Sequence, residues 1–167
     1  MTLADAAVQA DALAQAGSER ELADLRSTWG DEVESVVRSP DFRERAVAFR
    51  AIGQFRWRAK EELLRRGLDD ESPVCRGAAL LSLELLSRDH PSSVNGVRSL
   101  LHTIATQDGN ATVRRLAVLC LKNGSPERHT IVLLEGLAAD DEVDADLRRT
   151  AGSVAQQLKK RQPRPRR

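Results

Sequence analysis

The chain has 167 residues, 26 Lys and Arg against 25 Asp and Glu for a formal charge of +1, and few aromatics: two Trp, three Phe and no Tyr. That length suits one domain with a sizeable core. No apolar run approaches the roughly 20 residues that cross a bilayer, and the start MTLADAAVQADALAQ carries acids where a secretory leader carries Lys or Arg. A cytoplasmic protein with no membrane partner is therefore expected.

The near-zero charge conceals an asymmetry. Residues 1–36 hold eight acids against Arg20 and Arg26, residues 43–66 hold eight bases against three acids, and the last nine residues, KKRQPRPRR, hold six bases and no acid. Cys75 and Cys120 are too few for a framework of disulfides and are predicted to be buried thiols in apolar helices.

In chain order, Thr2 is positioned to cap a helix in which Leu3, Ala6, Ala7 and Ala10 recur at helical spacing, with Gly17 as its stop. Ser18 and Glu21 form a capping box for a second helix ending near Gly30, and Asp31 to Val37 form a short third. These small-residue, acid-faced segments, residues 1–30, have the character of an N-terminal helical cap. Ser39-Pro40 opens a helix over 41–55, and the rest falls into pairs: 57–68 with 73–88, 91–106 with 111–122, and 126–138 with 144–160. No period-2 alternation points to a strand.

In the helix after Pro73, Val74, Ala78, Leu81 and Leu85 form one apolar stripe, and Cys75, Ala79, Leu83 and Leu86 fill other sides. That pattern predicts a central helix packed from several directions, where Leu81→Ala or Leu85→Ala costs about 2–5 kcal/mol. In the last helix only Leu147, Ala151, Val154 and Leu158 align, as a terminal element requires.

Internal repetition is the strongest pattern. Arg precedes Ala by three residues at Arg43/Ala46, Arg76/Ala79, Arg114/Ala117 and Arg148/Ala151, at intervals of 33, 38 and 34 residues. Asp70, Asp108 and Glu142 each stand six positions before the last three arginines. Such periods mark stacked helical hairpins.

The acid in the turn, the Val-Arg step of Thr112-Val113-Arg114 and the small residue that follows resemble HEAT repeats, at the short spacing of bacterial HEAT-like proteins. The resemblance covers residues 31–158. It implies an all-α, right-handed α-solenoid of stacked antiparallel hairpins. It also implies a structural polar ladder made by Asp70, Arg76, Asp108, Arg114, Glu142 and Arg148. Residues 159–167 form a basic tail, expected to be disordered from Gln162 on because Pro163 and Pro165 oppose helix.

Nothing points to an enzyme. The sequence has no CxxC, HExxH, GxSxG or phosphate-cradling glycine loop, and neither cofactor nor metal is expected. His90, His102 and His129 show no ligand spacing. Asp69-Asp70-Glu71 and Asp140-Asp141-Glu142 suit solvated helix starts.

The leading expectation is a non-catalytic interaction scaffold that binds a protein or peptide along the solenoid face, with Arg115, Arg149 and Lys122 as candidate contacts. The alternative is nucleic-acid binding through Arg50, Arg56, Arg58, Lys60, Arg65 and Arg66, interleaved with Phe49, Phe55 and Trp57. A structural reading puts those aromatics in the core and the arginines on a solvated face. The tail is either a solubilising end or an electrostatic tether. Among HEAT-like relatives, alkylpurine DNA glycosylases would bring a basic cleft with a catalytic carboxylate, yet no carboxylate here is singled out. Phycobilin lyases would bring a pigment site, for which no residues stand out.

Overall fold

A computed structural model describes residues 1–166; among them are ten α-helices, one 3-10 turn and no strand. The described chain is all-α. It divides into two compact units, Met1–Leu86 and the residues from Ser87 onward. None of its described helices is long and apolar enough to cross a membrane.

In the first unit, α1 (Leu3–Gln15) starts at a capping box: the Thr2 hydroxyl accepts from the Asp5 N–H, and the Asp5 carboxylate accepts from the Thr2 N–H. Gly17 ends it at φ 73°, a conformation that favours glycine. The expected Ser18–Glu21 box is absent, since Ser18 makes no side-chain cap bond. The expected break at Gly30 is absent too, and α2 (Glu19–Val36) is continuous. Gly30 lies inside that helix, with the Trp57 ring about one van der Waals contact from where a Cβ would sit.

Asp41 caps α3 (Phe42–Gln54) by accepting from the Arg43 N–H, a role the sequence reading gave to Ser39-Pro40. Helix α3 packs on both α1 and α2. The single helix expected over 57–68 is instead a 3-10 turn, Arg58–Lys60, followed by α4 (Glu62–Leu68). Trp57 turns into the core instead of opening the helix, its ring tilted against Phe55 at 5.3 Å.

Helix α5 (Pro73–Ser87) lies against α3 through two polar contacts. The Cys75 thiol donates to the Phe42 carbonyl at 3.2 Å, and the fully buried Ser82 hydroxyl donates to the Phe49 carbonyl at 2.6 Å while accepting from the Gly53 N–H at 2.9 Å. These contacts set the rotation of α5 and correct the expected stripe. Cys75, Ala79, Leu80, Leu83 and Leu86 are buried, whereas Val74 is 54% and Leu81 41% exposed. Leu85 is only half-buried.

The second unit contains α6 (Ser92–Asn95), α7 (Arg98–Gln107), α8 (Ala111–Leu121), α9 (Arg128–Ala139) and α10 (Ala145–Arg161). The helix expected over 91–106 is broken at Gly96-Val97 into α6 and α7. Asn110 and Asp144 cap α8 and α10 by accepting from the Val113 and Leu147 N–H groups. Helices α7 and α8 pack as one pair and α9 and α10 as another, with α10 also on α8 and α7 touching α9.

The expected one-sided stripe of α10 is present: Leu147, Ala151, Val154 and Leu158 are buried, joined by Ala155. The last turn of α10 runs to Arg161, one residue past the expected helix end at 160 and through the first three residues of the basic tail. Arg161 donates to the carbonyls of Lys122 and Gly124 at 2.6 and 2.7 Å, satisfying groups at the end of α8, and Lys159 pairs with Glu135 at 2.7 Å.

Candidate functional site

The basic segment over 50–66 is built around the end of α3. Arg56 sits at φ 50°, and its Nη1 donates to the Gly53 and Gln54 carbonyls and to Asp11 of α1 at 2.7 Å. Arg26 of α2 donates to the Phe55 and Arg56 carbonyls at 2.8 and 3.1 Å. Two arginines thus satisfy carbonyls that the helix end leaves open. Lys60 pairs with Glu34 and lies 4.9 Å from the Trp57 ring centroid. Arg50 is half-buried, its Nη1 lacks a hydrogen-bond partner, and burial pulls its pKa down.

Arg58 is near Glu61 at 3.9 Å, and Arg65 and Arg66 are exposed on α4. Phe49, Phe55 and Trp57 are buried, so none of these three aromatics offers a face for stacking a base. A phosphate reaching Arg56 or Lys60 would have to compete with Asp11 or Glu34.

The ladder acids lie in the turns that precede α5, α8 and α10, and the ladder arginines lie within those helices. Asp70 Oδ1 accepts from the Ser72 N–H, Asp108 Oδ1 from the Asn110 N–H, and Asp140 Oδ1 from the Glu142 N–H, all near 2.9–3.0 Å. In the third turn the accepting acid is thus Asp140, two residues before the Glu142 that spacing singled out. Arg76 donates to the Asp70 and Glu71 carbonyls, Arg114 to the Ala105 carbonyl, and Arg148 reaches Asp141 at 3.4 Å.

The side-chain partner of Asp70 is Arg45 of α3, which the sequence pattern does not single out. Arg45 makes a two-pronged ion pair with it at 2.9 and 3.0 Å, the side chains only 12% and 8% exposed, and also donates to the Ser39 carbonyl. Burial pushes the Asp70 carboxyl up, but the bonds from Arg45 and the Ser72 N–H outweigh that and hold it below its ordinary value. The pair therefore adds stability that is complete above about pH 4 and is lost as pH falls through the depressed value. Asp70→Asn is expected to lower the thermal midpoint at pH 7, and thermal scans should show the gap to wild type closing on acidification below about pH 4.

Arg115 and Arg149 occupy equivalent positions of α8 and α10, 34 residues apart, and both are exposed. Arg149 pairs with Asp146 of its own helix. Lys122 is half-buried just past α8. Helical spacing continues the α8 face as Thr112, Arg115, Leu119 and Lys122, and the α10 face as Arg149, Ser153, Gln156 and Lys160. Helix α8 has no acid, and α10 has none after Asp146. The structure thus brings Arg115 and Arg149 onto two packed helices and adds Lys160, which the sequence reading left in the tail.

His102 and His129, which show no ligand spacing in sequence, come together in space with ring centroids 5.3 Å apart. Among the described residues no cluster of His, Cys, Asp and Glu is suited to hold a metal ion. Both cysteines are buried and in no disulfide, and burial raises the pKa of Cys75. No family model matches the chain, and no curated protein matches it.

Proposed function

We propose that this protein is a non-catalytic interaction scaffold, a HEAT-like α-solenoid that takes an acidic protein or peptide segment along the outward face of α8 and α10. The observation that carries this reading is the row of bases on two packed helices, Arg115, Lys122, Arg149 and Lys160, with Asp146 the one acid on those helices apart from capping residues. Charge of one sign on a rigid helical surface steers and orients an oppositely charged partner. The hairpin reading is supported by the α7–α8 and α9–α10 pairs, joined through α8 and α10, and by the 34-residue equivalence of their arginines.

Reversing Arg115 and Arg149 together to Glu is expected to abolish binding of a fluorescent Asp/Glu-rich peptide at low salt while leaving the melting temperature unchanged. Retention of binding by that double variant would overturn this choice of face. The competing nucleic-acid reading is weakened by the internal partners of Arg56 and Lys60. The same titration with duplex and single-stranded oligonucleotides, repeated with Arg65 and Arg66 changed to Glu, separates the two: loss of oligonucleotide binding in that variant would favour nucleic acid.

A further inference from the structure

One polar cluster plays no part in the proposed binding face. Arg98 and His102, one helical turn apart on α7, both reach Thr130 in the first turn of α9. The Thr130 side chain is fully buried. Arg98 Nη1 donates to Thr130 Oγ1 at 3.0 Å, and His102 Nε2 is 2.9 Å from the same oxygen. The His129 ring lies against that of His102, tilted by 59°.

The proton count of this hydroxyl is decisive. Thr130 Oγ1 accepts from Arg98, and in the His102 tautomer that carries its proton on Nδ1 the single hydroxyl proton is donated to the bare Nε2. Protonating Nε2 turns that acceptor into a second donor aimed at the oxygen, and the hydroxyl proton loses its partner. A buried hydroxyl stripped of a partner is costly.

Charge opposes protonation as well. His102 faces Arg98 on its own helix and His129 on α9, at the helix end where the backbone dipole is positive. The carboxylate facing it is Glu127, which is already committed to Arg98 Nε at 3.0 Å. Arg98 is further fastened to the Ser125 carbonyl and to Asn95, so it cannot turn away without losing those bonds.

We propose that the His102–Thr130 contact, backed by Arg98 and His129, is an acid-sensitive latch between α7 and α9 that loosens on protonation of His102. Burial, His129 and Arg98 together lower the pKa of His102 from its ordinary value against a smaller opposing pull from Glu127. A histidine held neutral in the fold contributes stability that is complete above its ordinary value, about 6.5, and is lost as pH falls from there toward the depressed value. The latch ties the α7–α8 pair to the α9–α10 pair at the place where α7 touches α9.

The test compares full-length wild type with His102→Gln, whose side chain keeps hydrogen-bonding capacity without a titrating charge, by thermal unfolding from pH 7.5 to 5.0. The wild type should lose melting temperature across that range and the variant should lose clearly less. An equal loss in both would overturn the latch. Should His102→Gln fail to fold, NMR titration of the His102 ring in the wild type decides: a midpoint below about 6.5 that rises in His129→Gln supports the latch, and a midpoint at or above about 6.5 overturns it. Amide exchange locates the change, with faster exchange expected at Thr130 to Leu133 in acid and no change there counting against the proposal.

Discussion

Leu80→Ala is expected to destabilise the protein by about 2–5 kcal/mol, and Leu81→Ala, one residue along the same helix, by no more than about 0.5 kcal/mol. Leu80 is fully buried while Leu81 is 41% exposed. Truncating the first removes apolar contact from every side and leaves a cavity that close-packed neighbours fill only in part. Truncating the second removes a side chain that already has 41% of its surface in water and leaves no enclosed cavity. Urea unfolding of the two variants measures the difference directly, and equal costs would show that α5 is rotated from the position described. The sequence reading placed the large cost at Leu81 and Leu85, so the comparison also tests which face of α5 is inside.

Gly53→Ala should be damaging although it adds a single methyl group. A Cβ at residue 53 would stand 2.6 Å from both the Cα and the Oγ of Ser82, closer than any tolerable contact and against backbone as well as side chain. Relief requires α3 and α5 to move apart, at about 1–3 kcal/mol for overpacking. Separation also strains the bond from the Gly53 N–H to the Ser82 hydroxyl and the bond from that hydroxyl to the Phe49 carbonyl. Leaving a buried group of this kind unsatisfied costs about 1–3 kcal/mol more. Helix propensity works the other way, since alanine gains about 1 kcal/mol over glycine inside a helix. A denaturation midpoint equal to wild type or higher would therefore refute the close approach of α3 and α5. Ser82→Ala combined with Gly53→Ala should recover part of the loss, because it removes one of the clashing atoms.

The charge asymmetry carries a related lesson. A run such as Arg56 to Arg66 looks in sequence like one basic patch. The fold spends Arg56 and Lys60 on Asp11 and Glu34 and half-buries Arg50, leaving Arg65 and Arg66 outermost. Partners 26 and 45 residues away cannot be read from local spacing. On α8 and α10, by contrast, Arg115 and Arg149 stand 34 residues apart in the chain, exposed on two helices that pack together.

Local chemistry was enough for the helical class and for most helix starts. Thr2, Asn110 and Asp144 need only their own next few residues to act as caps, Gly17 needs only its own backbone freedom, and the stripe of α10 lies within one helix. The 33- to 38-residue period likewise stands in the chain itself. Rotation and pairing depended on neighbours in space. Which side of α5 is buried follows from Cys75 and Ser82 bonding to α3, and the partner of Asp70 is Arg45, 25 residues away. The meeting of His102 with His129 and Thr130 needs α7 and α9 to touch. Apolar periodicity defines a stripe only to within about one 100° step of a helix, while a hydrogen bond with a required distance and angle selects among those steps.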